Sequence, residues 1–155
     1  MNRRIFLQST TSLSVLAAAP AIVSGRNLNS QLQLAAVGTE GRGWADLSAM
    51  ASHAKGKYVA LCDVDDSRAG NAYQTNPKAR KFRDFRKMFD AMEKQIDAVV
   101  VSTPDHTHFH PSMLALGLGK HLYCEKPMAH SVWETRAMTD LARRQKVATQ
   151  LGVQR

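Results

Sequence analysis

Short apolar runs and helix-spaced apolar positions alternate along most of the chain. Residues 31–37 predict a first strand, which runs straight into Gly38-Thr39-Glu40-Gly41-Arg42-Gly43. Trp44, Leu47, Met50, Ala51 and Ala54 recur at the spacing of one helical face and predict a helix over 44–54. Residues 58–62 read as a buried strand ending at Asp63, and Ser67 is placed to cap a helix that runs to about Gln74. Asn76-Pro77 interrupts the chain before a short strand around Lys81-Phe82. Phe85, Met88, Phe89 and Met92 then share a helical face, and residues 96–102, with Ala-Val-Val-Val at their centre, form the clearest strand. A helix over 111–118 closed by Gly119, a strand over 121–124, a helix over 132–144 and a strand over 147–151 complete the pattern. Such alternation predicts the α/β class, a doubly wound parallel sheet, as one domain spanning residues 26–155.

Composition narrows the class. With 155 residues, 44% of them apolar and 22% charged, the chain can build one core but not two. A disordered tail, a collagenous repeat, a disulfide scaffold and a polytopic membrane protein are excluded. The formal net charge is +8, and the one concentrated basic run is Lys78, Arg80, Lys81, Arg83, Arg86 and Lys87. Phe82 and Phe85 interleave with it, as in nucleic-acid binders. The buried-face spacing of Phe85, Met88 and Phe89 is better explained by a helix whose charges are solvated, so no nucleic-acid partner is expected.

Residues 1–25 read as an export signal. Asn2-Arg3-Arg4-Ile5-Phe6-Leu7 is a charged head, and a short Ser/Thr/Leu/Ala stretch leads to Ala19-Pro20-Ala21, a small-residue cleavage site. The paired arginines resemble a twin-arginine signal, which implies export of folded cargo to the periplasm. Ser9, Thr10, Thr11, Ser12 and Ser14 break the apolar run, so no membrane span or stable anchor is expected.

The glycine-rich turn sits between a strand and a helix, where backbone N–H groups at a helix N-terminus can cradle phosphate. Gly38, Gly41, Arg42 and Gly43 are its candidate contacts. Asp63 ends the next strand 20 residues after Gly43, where a carboxylate would accept both hydroxyls of an adenosine ribose. Asp65 and Asp66 beside it would repel a 2′-phosphate, which favours NAD over NADP, although Arg68 softens that preference. Glu40 is discordant: it stands where the G-x-G-x-x-G pattern has its middle glycine. A carboxylate ~5 Å from a pyrophosphate charge costs on the order of 3 kcal/mol at an effective dielectric near 20.

After the clearest strand comes Ser102-Thr103-Pro104-Asp105-His106-Thr107-His108, and after the next comes Glu125-Lys126-Pro127, preceded by Gly119-Lys120-His121. With the glycine turn and Asp63, these segments resemble the N-terminal domain of the glucose–fructose oxidoreductase/inositol dehydrogenase (Gfo/Idh/MocA) family over residues 32–155. The resemblance implies a nicotinamide cofactor lying across the carboxyl ends of the strands. Thr103, Pro104, His106 and His108 would line its ribose and nicotinamide side, with Glu125 also on the cofactor. Lys126 would face the substrate hydroxyl as the catalytic residue, its bond to Pro127 being cis. An ammonium there would stabilise charge that develops on the carbinol oxygen as hydride leaves. The resemblance further implies a second α/β domain that holds a sugar or polyol substrate. The chain stops at Arg155, so the expectation is a cofactor half with its substrate domain missing, inactive alone, in which an exposed edge strand leaves a homo-oligomer open. Two alternatives remain: a cofactor-binding module without turnover, favoured by Glu40, and a glycoside-processing relative that retains its NAD.

Asp105, His106, His108 and His110 raise the question of a metal. Their alternation would point the side chains to different sides of an extended segment, and no metal is expected. Cys62 and Cys124 end strands 2 and 5 in the order 3-2-1-4-5-6. Three strand spacings, ~14 Å, are too far for a disulfide.

Overall fold

The computed structural model describes residues 31–53 and 56–153. The expected export signal, with Arg3 and Arg4, lies outside these residues. Six strands form one parallel sheet: β1 (Gln33–Val37), β2 (Lys57–Cys62), β3 (Arg80–Phe82), β4 (Ala98–Val101), β5 (His121–Glu125) and β6 (Thr149–Gly152). Their order across the sheet is β3-β2-β1-β4-β5-β6, the doubly wound arrangement. Five helices connect them: α1 (Arg42–His53), α2 (Gly70–Thr75), α3 (Phe85–Met92), α4 (Phe109–Gly117) and α5 (Val132–Gln145).

The apolar runs are buried on both faces because helices cover both. On one face Ala35, Val37, Val99 and Val101 pack with Met88, Phe89, Leu116 and Met138; on the other Leu34, Ala36 and Val100 pack with Leu47, Leu61 and Tyr73. Met88, Phe89 and Met92 turn inward from α3, while the Arg83 and Arg86 side chains, each 71% exposed, stay in water. That burial accounts for the aromatic and basic interleaving as the two sides of one amphipathic segment.

Several boundaries differ from the sequence reading. Ser67 does not cap α2. Asp65 Oδ1 takes both the backbone N–H and the hydroxyl of Ser67, at 3.0 and 2.6 Å, and the helix starts only at Gly70. A carboxylate two residues upstream is the stronger acceptor and wins the hydroxyl. Residues 105–107 form a 3-10 turn rather than an extended strip. The last strand begins at Thr149, two residues late, because the Val147 N–H donates to the Ala142 carbonyl and the Ala148 N–H to the His121 ring, leaving only the Ala148 carbonyl to accept from Leu122 of β5. Ser131 and Glu134 build a reciprocal capping box at the start of α5, and Lys146 closes that helix at φ 54°.

Cys62, Val37, Val101 and Cys124 lie in one register row across β2, β1, β4 and β5. The two thiols are therefore three strands apart, buried and unpaired with each other. Burial, with the nearby Asp63 and Asp84 carboxylates, pushes the Cys62 thiol up to about 12.

Candidate functional site

The carboxyl ends of β1, β2 and β4 open into a crevice of about 690 Å³. It forms at the topological switch point, where the chain leaves β1 for β2 on one side and β4 lies on the other. Gly38, Thr39, Glu40, Gly41, Arg42, Asp63, Asp65, Arg68, Thr103, Pro104 and His106 all line it.

The turn at its floor requires glycine for two separate reasons. Gly38 has φ +81°, and a Cβ there would come within 2.7 Å of the Ser102 carbonyl, so a side chain is excluded by both conformation and space. A Cβ on Gly43 would meet the Gly38 carbonyl oxygen at 2.3 Å. Gly43 is thus buried under the turn rather than exposed to the crevice.

Asp63 ties the two flanking strands together. Its Oδ2 accepts from the Thr39 N–H at 2.8 Å and from the Thr39 hydroxyl at 3.0 Å, and its Oδ1 accepts from the Asp65 N–H at 3.1 Å. Thr39 is completely buried, so the carboxylate is aimed by a fixed partner. Sequence reasoning passed over Thr39. Its signal was a small hydroxyl residue directly after the first glycine, able to reach the acid of the next strand.

Across the crevice, His108 is 1% exposed. Its Nδ1 lies 2.7 Å from the Pro127 carbonyl oxygen and its Nε2 2.7 Å from the Thr103 carbonyl oxygen. The ring therefore clamps the Thr103 loop to the Lys126–Pro127 segment from behind, whereas His106 projects outward beside Asp105. The Lys126–Pro127 bond is cis. Lys126 is exposed at the end of β5, and its N–H donates to Glu125 Oε2 at 3.3 Å.

Glu125 is 4% exposed and sits inside the wall. Its Oε1 accepts from the Tyr123 hydroxyl at 3.0 Å and pairs with Arg42 Nε at 3.4 Å. Arg42 also reaches Asp46 Oδ1 at 2.9 Å, and Ser102 Oγ donates to Asp46 Oδ2 at 2.8 Å. Although Arg42 borders the crevice, its guanidinium is turned toward these two carboxyls. Burial pushes the Asp46 carboxyl above its ordinary range, the Glu125 charge adds to that, and the Ser102 hydroxyl and Arg42 oppose it. Asp46 was also missed in the sequence. Its only local mark is the i, i+4 spacing from Arg42. Gly152 of β6 completes the cluster: a Cβ there would collide with Glu125 Oε1 and with the Tyr123 hydroxyl.

Among the described residues, three buried side-chain polar atoms have no hydrogen-bond partner: Glu40 Oε2, Thr103 Oγ1 and Tyr58 OH. The first two belong to residues lining the crevice. Also among the described residues, no group of three or more His, Cys, Asp or Glu side chains is arranged to hold a metal, and no helix is long and apolar enough to cross a membrane.

Comparison with known proteins agrees with this geometry. Glucose-6-phosphate 3-dehydrogenase of Bacillus subtilis is 29% identical over 116 residues, covering 75% of this chain and 32% of that protein. The scyllo-inositol 2-dehydrogenase (NADP(+)) of the same organism is 32% identical over 85 residues, covering 55% of this chain and 25% of that one. The chain thus spans about a third or less of these relatives. Among solved structures, the WlbA dehydrogenase of Chromobacterium violaceum, in complex with NADH and UDP-GlcNAcA, superimposes with a TM-score of 0.69 at 25% identity, over 84% of this chain and 37% of that one. Residues 32–153 match the Gfo/Idh/MocA oxidoreductase family in its NAD-binding Rossmann fold, and the chain belongs to that family.

Proposed function

We propose that the crevice takes NAD in preference to NADP, and that the chain is the cofactor half of an exported sugar or polyol oxidoreductase. The observation that carries the reading is the unpartnered Thr103 hydroxyl, buried in a crevice whose opposite wall presents the Asp63 carboxylate. A buried hydroxyl without a partner is uncommon, and a ligand hydroxyl or amide would satisfy it. The glycine turn and the start of α1 would hold the pyrophosphate, and Asp63 the adenosine ribose. Asp63 keeps acceptor capacity on Oδ1 beyond the Asp65 N–H. Asp65, at the same end of β2, disfavours a 2′-phosphate, while Arg68 and Arg83 line the same wall.

Bound NAD supplies a hydride acceptor. Lys126 would hold a proton at the substrate oxygen and stabilise negative charge developing there. A sugar or polyol is the substrate class because the relatives named above act on such compounds. Residues 1–25 would direct the folded, cofactor-loaded protein to the twin-arginine route. Replacing Arg3 and Arg4 with lysine should then retain a fused folded reporter in the cytoplasm, and undiminished export would overturn that part.

The cofactor reading is tested by calorimetric titration of the full chain with NAD and NADP. Saturable NAD binding, with NADP at least about tenfold weaker and the preference lost in Asp63→Ala, is expected; one such factor is about 1.4 kcal/mol. Equal or tighter NADP binding overturns the preference. No binding by a chain with a folded α/β circular-dichroism spectrum overturns the assignment of the crevice.

A further inference from the structure

Asp46 is a buried acid to which the cofactor reading gives no task. It sits near the start of α1, 3% exposed, beside the core residue Leu47. A carboxyl there adds nothing to apolar packing and loses its water, so its partners must offset the burial. They come from two different loops. Oδ1 pairs with Arg42 Nη2 at 2.9 Å, inside the glycine turn, and Oδ2 accepts from the Ser102 hydroxyl at 2.8 Å, directly after β4. One side chain therefore brackets the turn that follows β1 and the loop that follows β4.

The second loop is where the bracket matters. The peptide from Ser102 to Thr103 lies directly against the glycine turn: a Cβ on Gly38 would come within 2.7 Å of the Ser102 carbonyl and 2.8 Å of the Thr103 nitrogen. Beyond it, the Thr103 carbonyl oxygen lies 2.7 Å from His108 Nε2. The Thr103 backbone is thus fixed on both sides, whereas its hydroxyl oxygen is buried at the crevice without a partner. A polar atom held in place with nothing to bond is costly to a fold, and a rigidly supported one is preorganised for a ligand.

We infer that Asp46 is a positioning residue for the cofactor: through Ser102 it holds the Thr103 hydroxyl where the nicotinamide half of a dinucleotide would meet it. Asp46 does not line the crevice and acts only through its neighbours. Arg42 anchors the same carboxyl from the other loop, so the glycine turn and the Thr103 hydroxyl face the ligand as one unit. The proposal rests on the cofactor reading above, and its test separates the two.

The test is calorimetric titration of the full chain with two probes, NAD and ADP. ADP carries the adenosine and diphosphate groups that Asp63 and the glycine turn would hold, and lacks the half that would reach Thr103. Ser102→Ala removes the bond to Asp46 but keeps the Ser102 N–H on the Val37 carbonyl. It should weaken NAD about fivefold and ADP less than about twofold, while Thr103→Val, which removes the hydroxyl itself, should weaken NAD about tenfold. The two combined should weaken NAD no further than Thr103→Val alone, because both act on one hydroxyl. Asp46→Asn, which keeps an acceptor for Ser102, should hold NAD within about twofold, and Asp46→Ala should match the NAD loss of Ser102→Ala. Unchanged NAD affinity in Ser102→Ala, equal weakening of NAD and ADP, or additive losses in the double variant would each overturn the positioning role and leave the cofactor reading standing. An unaltered chain that binds ADP as tightly as NAD overturns it too, since Thr103 then meets nothing. A folded unaltered chain that binds neither probe overturns the cofactor reading, and the positioning role with it.

Discussion

On the β1–β2 flank of the crevice, a half-buried carboxylate reaches a neighbouring turn: Asp63 accepts two hydrogen bonds from Thr39, at 2.8 and 3.0 Å, and keeps one side toward the crevice. On the β4–β5 flank the polar groups are interior. His108 is 1% exposed between two carbonyl oxygens, and Asp46 and Glu125 are closed around Arg42. Asp63 lines the crevice, whereas His108, Asp46 and Glu125 do not. The difference assigns the flanks separate tasks. The β1–β2 side offers groups to a ligand, and the β4–β5 side fixes the loops that meet it.

Substitutions can break this division. His108→Ala should have the largest effect, because it removes the buried ring that bridges the Thr103 and Pro127 carbonyl oxygens and leaves a cavity; a loss of about 3 kcal/mol is expected in urea denaturation. Asp63→Asn, which keeps an acceptor for the buried Thr39 N–H and hydroxyl, should cost only about 1 kcal/mol by the same measurement while weakening the NAD preference. If Asp63→Asn proved as destabilising as His108→Ala, the division between ligand side and framework side would fail.

Glu40→Gly sharpens the comparison further. Its Oε2 is buried without a partner on the ligand side, so removal should tighten NAD binding about tenfold, a fraction of the unscreened repulsion, with stability changed by less than about 1 kcal/mol. Unchanged or weaker binding in calorimetry would show that Glu40 does not face the pyrophosphate.

The smallest effect is expected at α3, away from both flanks. Hydrogen bonds from the Arg86 side chain and N–H hold Asp84 below its ordinary 3.8. A depressed carboxylate stabilises the fold above that value, and its contribution is lost as pH falls through the folded value. Asp84→Asn keeps an acceptor for the cap without the titration, so the acid-induced loss of thermal stability should be shallower than in the unaltered chain.

The parts legible in the sequence are those set by local pattern. The apolar run at Ala98–Val101, the helical spacing of Met88, Phe89 and Met92, and the glycine turn ahead of Asp63 each declare burial or conformation within a few residues. Strand order followed from them because alternating strands and helices leave few topologies. Ser67 was misread because two side chains compete for one turn, and Asp65 holds the stronger acceptor. Arg42 reads locally as a phosphate contact, and nothing local reveals its ion pair with Glu125 across the sheet. Likewise, Asp46 beside Leu47 looks like an ordinary helix-surface acid until β5 is in place. Long-range partners decide the direction of polar side chains, and pattern does not record them.

Gly152 has one more consequence. The space its missing side chain leaves is filled by Glu125 and Tyr123 of the neighbouring strand. Edge strands of parallel sheets can slide, since the ladder itself tolerates several alignments. Here a slip of one position in either direction would drive Leu151 or Val153 against the Glu125 carboxyl. The absent methyl therefore works as a molecular keyway: in the native alignment Glu125 and Tyr123 keep their places, and a misaligned β6 would have to displace both.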